Sequence, residues 1–334
     1  MSLAVNFKDI VGHVKTIERL KKIVVSGRIG HGYLFSGPEG TGKSLLVRAF
    51  AEAANCESSV GGVSCGSCRS CESFINGSTL NYMTVEPDKD GKLKIDAIRE
   101  FQRLLVYKVD QGLRFAVIEG ADLMAANASN VLLKTLEEPP EGYVIVLVTS
   151  RGDHLLPTIL SRCQRINVGP LSSRVISDYL RDHKGLSARD SELSAKLGFG
   201  SMSAALAIAD EGGLDKRNDF LLGVRGLSKK GTDHSAFIDM AEKLAKDSEL
   251  TYLLDVMKSY LRDVAVIRAG SPELVVNSAI EGLYDDAADM DIDALVESFY
   301  LTEAARRSIV PPSYANKRLT LESLFTKYVE AVNN

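Results

Sequence analysis

The residues Gly37-Pro38-Glu39-Gly40-Thr41-Gly42-Lys43-Ser44 fit the pattern G-x-x-x-x-G-K-[ST]. They follow an apolar run, Tyr33-Leu34-Phe35, and precede a helical one, Leu45 to Ala51. That is the strand–loop–helix setting of a phosphate-binding loop. Gly37, Gly40 and Gly42, with Thr41 among them, supply a backbone able to turn its amides inward. Lys43 is the expected partner of the terminal phosphates and Ser44 a magnesium ligand, and the helix N-terminus adds positive potential. ATP or ADP with Mg2+ is the expected nucleotide.

A second group has metal spacing. Cys56, Cys65, Cys68 and Cys71 form C-x8-C-x2-C-x2-C, with Gly61, Gly62 and Gly66 freeing the intervening loop. Four thiolates around one ion make a closed, tetrahedral, structural zinc site with no open catalytic position. An iron–sulfur cluster also uses four cysteines and is the competing ligand. The fifth cysteine, Cys163, stands apart in sequence.

A third feature is an incomplete acidic motif, Phe115-Ala116-Val117-Ile118-Glu119-Gly120-Ala121-Asp122. Glu119 ends the apolar run and can offer a carboxylate to magnesium. A hydrolysing enzyme of this kind carries a glutamate next, to orient the attacking water. Here that residue is Gly120, and Asp122 would have to reach back. A site without a positioned base turns its nucleotide over slowly.

The elements that must position these groups alternate. Apolar runs at Tyr33–Phe35, Tyr82–Val85, Phe115–Ile118, Val144–Thr149 and Arg165–Val168 read as strands. Helical patterns lie between them, including Ile95–Val106 and a pattern through Ala128, Val131, Leu132 and Leu136 stopped by Pro139-Pro140. Another, at Val14, Ile17, Leu20 and Val24, precedes the first strand. The order predicts an α/β domain with a parallel five-stranded sheet, covered on both faces. Beyond Gly169-Pro170 the strand pattern ends. Short helical pieces run to Asp210, and a loose stretch, Glu211-Gly212-Gly213, opens an all-helical remainder. Its stripes are Leu250, Leu253, Leu254, Met257, Leu261 and Val264, and Leu321, Leu324, Phe325, Tyr328 and Val332.

Two further motifs make the pattern specific. Thr158-Ile159-Leu160-Ser161-Arg162-Cys163 resembles the Ser-Arg-Cys motif of clamp-loader AAA+ subunits, and Asn130 to Pro140 resembles their helix after the acidic motif. The combination is similar to the delta-prime type of subunit of bacterial DNA polymerase III over about the first 210 residues. The resemblance implies a AAA+ nucleotide-binding domain at 1–168 with a zinc module at about 55–75. It also implies a helical lid at 169–210 and a helical oligomerisation collar at 211–334. Arg162 would be an arginine finger given in trans to a neighbouring ATPase, and Thr149 or Ser150 the sensor 1 hydroxyl. Ser203 stands where motor subunits carry a basic sensor 2 residue. The implied role is a stator in a heteropentamer with motor subunits and a delta subunit, acting on the sliding clamp indirectly and on primer-template DNA through the whole complex. An active motor subunit and a zinc-containing nucleic-acid-binding module with a vestigial phosphate loop stay open beside it.

The bulk composition fits these readings. The chain has 334 residues, 45% hydrophobic and 25% charged, with net charge -4, which argues against a broad basic surface. No apolar run has membrane-spanning length, and the first residues lack the blocks of a signal peptide, so a cytoplasmic location with reduced thiols is expected.

Overall fold

β-Branched and aromatic residues concentrate in five short segments, and these pair into one sheet. They are β1 (Gly32–Ser36), β2 (Tyr82–Val85), β3 (Arg114–Ile118), β4 (Tyr143–Thr149) and β5 (Gln164–Asn167). The sheet order is β2-β3-β4-β1-β5, and every pairing is parallel. The computed structural model describes residues 6–88, 91–109, 111–210, 213–227, 234–277, 280–285, 290–310, 313 and 315–333.

Successive side chains of a strand point to opposite faces, so an all-parallel sheet must be covered twice. Helices α1 (Val14–Ser26), α2 (Lys43–Asn55) and α3 (Arg69–Ile75) precede β2 in the chain. Leu20, Leu46, Val47 and Phe50 pack with Tyr33, Phe35, Phe115, Val117, Val144, Val146 and Val148 on one face. Tyr33, Phe50 and Phe115 meet edge to face at 5.3 Å between successive rings. Burying a ring such as Phe50 stabilises by roughly 1.5–3 kcal/mol. Helices α4 (Ile95–Leu104) and α5 (Ala126–Glu137) come from later in the chain. Ile98, Phe101, Ala128, Leu132 and Leu136 cover the opposite face, against Leu34, Ala116, Ile118, Ile145 and Leu147. The central strand β4 is buried along its whole length, as its continuous apolar run requires.

The starts of β1, β3, β4 and β5 come one residue earlier than expected, and two expected C-terminal ends fall short. α4 ends at Leu104 rather than Val106, because the Leu105 and Val106 amides turn back to Gln102 and Arg103 and Val106 stays exposed. β5 ends at Asn167, one residue before Val168, whose amide still donates to Ser36 O at 2.8 Å. The Pro139-Pro140 stop holds: α5 ends at Glu137.

The rest is helical: α6 (Pro157–Leu160), α7 (Ser173–Lys184), α8 (Ala188–Leu197), α9 (Met202–Ala209), α10 (Gly213–Leu227), α11 (His234–Ala245), α12 (Leu250–Arg268), α13 (Ile292–Ile309) and α14 (Lys317–Asn333). Of the loose stretch anticipated at Glu211-Gly212-Gly213, the first two residues lie outside the described ones. Two compact units result. One comprises Met1–Tyr179 with Gly200–Ser203, the other Leu180–Phe199 with Ala204–Asn334. In the second unit the two anticipated stripes pack together, Leu253, Leu254, Met257 and Leu261 with Leu321, Leu324, Phe325 and Tyr328. Among the described residues no helix is long and apolar enough to cross a membrane.

One polar cluster pins this second core. Asp263, fully buried on α12, accepts from the amides of Val276 and Asn277, from Asn277 Nδ2 at 2.7 Å and from Tyr284 Oη at 2.8 Å. The fully buried Arg217 donates to Asn277 Oδ1 in turn. Buried donors stripped of their acceptor are costly. Asp263→Ala should therefore cost about 3–5 kcal/mol, read by denaturant unfolding of the full chain.

Candidate functional site

Parallel strands end together, so the loops at their carboxyl ends share one rim of the sheet. The phosphate loop leaves β1 at Ser36. Gly37 runs so close to Val168 that any Cβ there would collide with the Val168 carbonyl. The loop is braced from several sides. Thr41 is buried, its Oγ1 donates to Pro38 O at 2.9 Å, and its carbonyl accepts from His13 Nε2 at 2.7 Å. A carbonyl only accepts, so the His13 proton sits on Nε2. The amides of Met202 and Ser203, at the start of α9, donate to Gly40 O at 2.9 and 3.3 Å. Lys43 Nζ donates to the loop's own carbonyls, Gly37 O at 2.8 Å and Pro38 O at 2.7 Å. Burial lowers its pKa, against the pull of Glu39, Glu119 and Asp122.

Glu119 follows β3 directly. Its Oε2 accepts from Ser44 Oγ at 2.9 Å, so the two groups that would share a magnesium ion already face each other. Burial raises the Glu119 pKa and the Ser44 hydroxyl opposes that. One carboxylate plus one hydroxyl, with phosphate oxygens and waters, suits Mg2+.

The neighbouring groups are committed to one another. The Asp122 carboxylate, almost fully buried, accepts from Thr149 Oγ1 at 2.6 Å, Ser150 N at 3.3 Å and Ser150 Oγ at 3.5 Å. It also pairs with Arg151 Nε at 3.0 Å. The Asp122 carboxylate is therefore committed to these donors, and the Thr149 proton is spent on it. Residue 120 has left-handed backbone, φ 62°. The sequence flags Asp122, but its ties to Thr149 and Arg151 form across two neighbouring strands and leave no trace in spacing. The same holds for the His13 brace.

Arg162 belongs to a different place. It precedes β5, beside the start of β1, and so lies at the amino ends of the strands. Its Nη1 donates to Thr158 O at 2.8 Å and Ser161 Oγ at 3.3 Å, and its Nη2 pairs with Glu137 Oε1 at 2.6 Å. Cys163 turns into the core, where burial pushes its thiol up to about 11.

The four spaced cysteines converge, all sulfurs lying within 4.8 Å of one another. Cys65 Sγ and Cys71 Sγ are 3.9 Å apart. A tetrahedral ion with thiolates at ~2.3 Å needs about 3.8 Å between sulfurs. Cys56 caps the C-terminus of α2 and Cys68 the N-terminus of α3. Backbone amides donate to sulfur from Cys65 to Cys56, from Cys68 to Cys65 and from Cys71 to Cys68. The Ser67 and Cys68 amides bring the Cys65 thiol down to about 6, whereas burial drives Cys71 up. The cluster can hold a metal ion, and thiolate–amide pairing of this kind favours the deprotonated, ligating form.

Two outcomes follow from this geometry. Elemental analysis should find one metal ion per chain, and a strong chelator or Cys65→Ser should release it and lower the unfolding midpoint. Gly120→Glu should not create a working base. Left-handed backbone costs a residue with a Cβ about 1–2 kcal/mol, so unfolding should show a loss of that size with no gain in hydrolysis.

Residues 12–172 match the family model described as DNA polymerase III, delta subunit. DNA polymerase III subunit tau of Bacillus subtilis is 29% identical over 268 residues, 77% of this chain and 46% of that protein. The tau subunit of Escherichia coli is 32% identical over 212 residues, 61% of this chain and 32% of that protein. The chain thus spans less than half the length of these curated relatives. A DNA polymerase III gamma subunit-related protein of Thermotoga maritima is a structural neighbour at 19% identity and TM-score 0.48, covering 94% of this chain and 98% of that one. Residues 12–172, a little under half of the chain, are thus similar to the DNA polymerase III delta-subunit family.

Proposed function

We propose that this chain is a clamp-loader stator of the delta-prime type, which gives Arg162 in trans to the ATP site of a neighbouring motor subunit. The observation that carries the reading is strand direction. The phosphate loop follows the carboxyl end of β1, while Arg162 precedes the amino end of the adjacent, parallel β5. The four paired residues between them span roughly 13 Å at ~3.3 Å per residue. A side chain bound back toward Thr158 and Glu137 does not serve the chain's own cleft. A permanently charged, planar guanidinium at a protein surface is suited to stabilising phosphoryl charge on another chain.

The cleft itself supports a weak or absent ATPase. Residue 120 is glycine, Asp122 and Thr149 satisfy each other, and Ser203 brings no charge to the start of α9. In this reading Gly37, Gly40, Thr41, Gly42, Lys43, Ser44 and Glu119 hold ATP or ADP with Mg2+, and Thr149 and Ser150 line the γ-phosphate side. The four cysteines hold structural zinc. The partners are motor subunits and a delta subunit, with the sliding clamp and primed DNA engaged by the assembly, in the cytoplasm. In this reading residues 1–168 are the nucleotide-binding domain, 169–210 the lid and 211–334 the oligomerisation collar.

The competing reading, an active motor, draws support from the facing Ser44 and Glu119. Single-turnover hydrolysis by the isolated chain well above background would favour it. For the stator, Arg162→Ala should leave the chain folded and the complex assembled. It should lower clamp- and DNA-stimulated ATP hydrolysis by the complex about 10-fold or more, given the scale of arginine-finger effects. Undiminished hydrolysis would refute the trans role.

A further inference from the structure

The Arg162 guanidinium already has an anionic partner on its own chain. Glu137 Oε1 accepts from Nη2 at 2.6 Å, a short, charge-assisted contact, while Thr158 O and Ser161 Oγ take Nη1. Arg162 is 33% exposed and Glu137 48%. Glu137 is the last residue of α5, where the helix dipole disfavours a carboxylate. Its position is thus locally unfavourable for a negative charge and is compensated by the guanidinium. It also joins two elements, the end of α5 and the turn after α6, that share no backbone pairing with each other.

We propose that Glu137 is a positioning residue that holds Arg162 in a neutralised rest position and yields it to a neighbour's nucleotide. The inference rests on the trans reading above. Thr158 O and Ser161 Oγ already orient the head group without charge, so the distinct contribution of Glu137 is electrostatic. A carboxylate kept on the guanidinium would cancel part of the charge meant for the phosphoryl group. It would also stand close to the triphosphate, a like-charge encounter. The finger therefore exchanges partners on engagement. A magnesium-bound triphosphate, with more charge and more acceptor oxygens than one carboxylate, outcompetes Glu137. Weaker anions and the unassembled state leave the pair closed. Glu137 in this way raises the nucleotide occupancy that the neighbouring site needs before the arginine commits.

The test uses the full complex, assembled with its motor subunits, clamp and primed DNA, and follows ATP hydrolysis over a range of ATP concentrations. Glu137→Gln keeps an oxygen that accepts from Nη2 and removes the charge. It should lower the apparent KM for ATP about three-fold, the scale of one exposed ion pair, with the change falling on KM rather than kcat. In an Arg162→Ala background the same substitution should change nothing. An unchanged or raised KM in Glu137→Gln, with Arg162→Ala still impaired, overturns the rest-position role and leaves the trans reading standing. Full activity in Arg162→Ala overturns the trans reading itself. Matching unfolding midpoints for Glu137→Gln and the unaltered chain separate the effect from a loss of fold.

Discussion

Parallel pairing of β1 with β4 on one side and β5 on the other governs where charge can act in this chain. Because the strands share a direction, loops leaving their carboxyl ends gather at one rim and segments entering their amino ends gather at the other. The phosphate loop, Glu119, Asp122 and Thr149 fall on the first rim. Arg162 and Glu137 fall on the second. The sheet is covered on both faces by apolar helices, so neither group has a way through the core. Two electrostatic centres in one domain are thereby kept apart, and each must find its complement in its own surroundings or on another molecule.

At the carboxyl rim the side chains are largely satisfied by one another. Lys43 bonds loop carbonyls, Ser44 bonds Glu119, and Asp122 collects Thr149, Ser150 and Arg151. Closed pairs of this kind are stable in a partly buried setting, where an unpaired polar group is costly. They also mean that a nucleotide entering the cleft must exchange these bonds for its own. The Lys43 and Ser44 pairs open by rotation of one side chain. The Asp122 network ties the 3-10 turn Ala121–Leu123 to the end of β4 and is held by several donors at once, so it resists the same exchange.

Helix α2 connects this rim to the cysteine cluster. It starts at Lys43 and ends against Cys56, and its buried face supplies much of the core under the sheet. Arg48 on the same helix donates to Phe74 O in α3, and Asn6 Nδ2 donates to Ser64 O in the cysteine loop. A metal ion on the four sulfurs would therefore fix one end of the helix whose other end carries Lys43. The excursion that carries the cysteines has few large apolar side chains of its own, and cross-linking through an ion would compensate for that.

Periodicity and motif determined the five strands, the helices between them, the helical remainder and the approach of four cysteines. Each of these follows from local spacing, because alternation, 3.6-residue stripes and C-x2-C steps are properties of neighbouring residues. The resemblance to clamp-loader subunits was equally legible, since Ser161-Arg162-Cys163 and the run from Asn130 to Pro140 are contiguous. What only the tertiary structure decided are the partners of the charged groups. Asp122 meets Thr149 and Arg151 because β3 and β4 are neighbours, and Glu137 meets Arg162 because the end of α5 lies beside the turn after α6. Side chains 25 to 29 residues apart have no spacing rule, so their pairing waits on how the sheet closes.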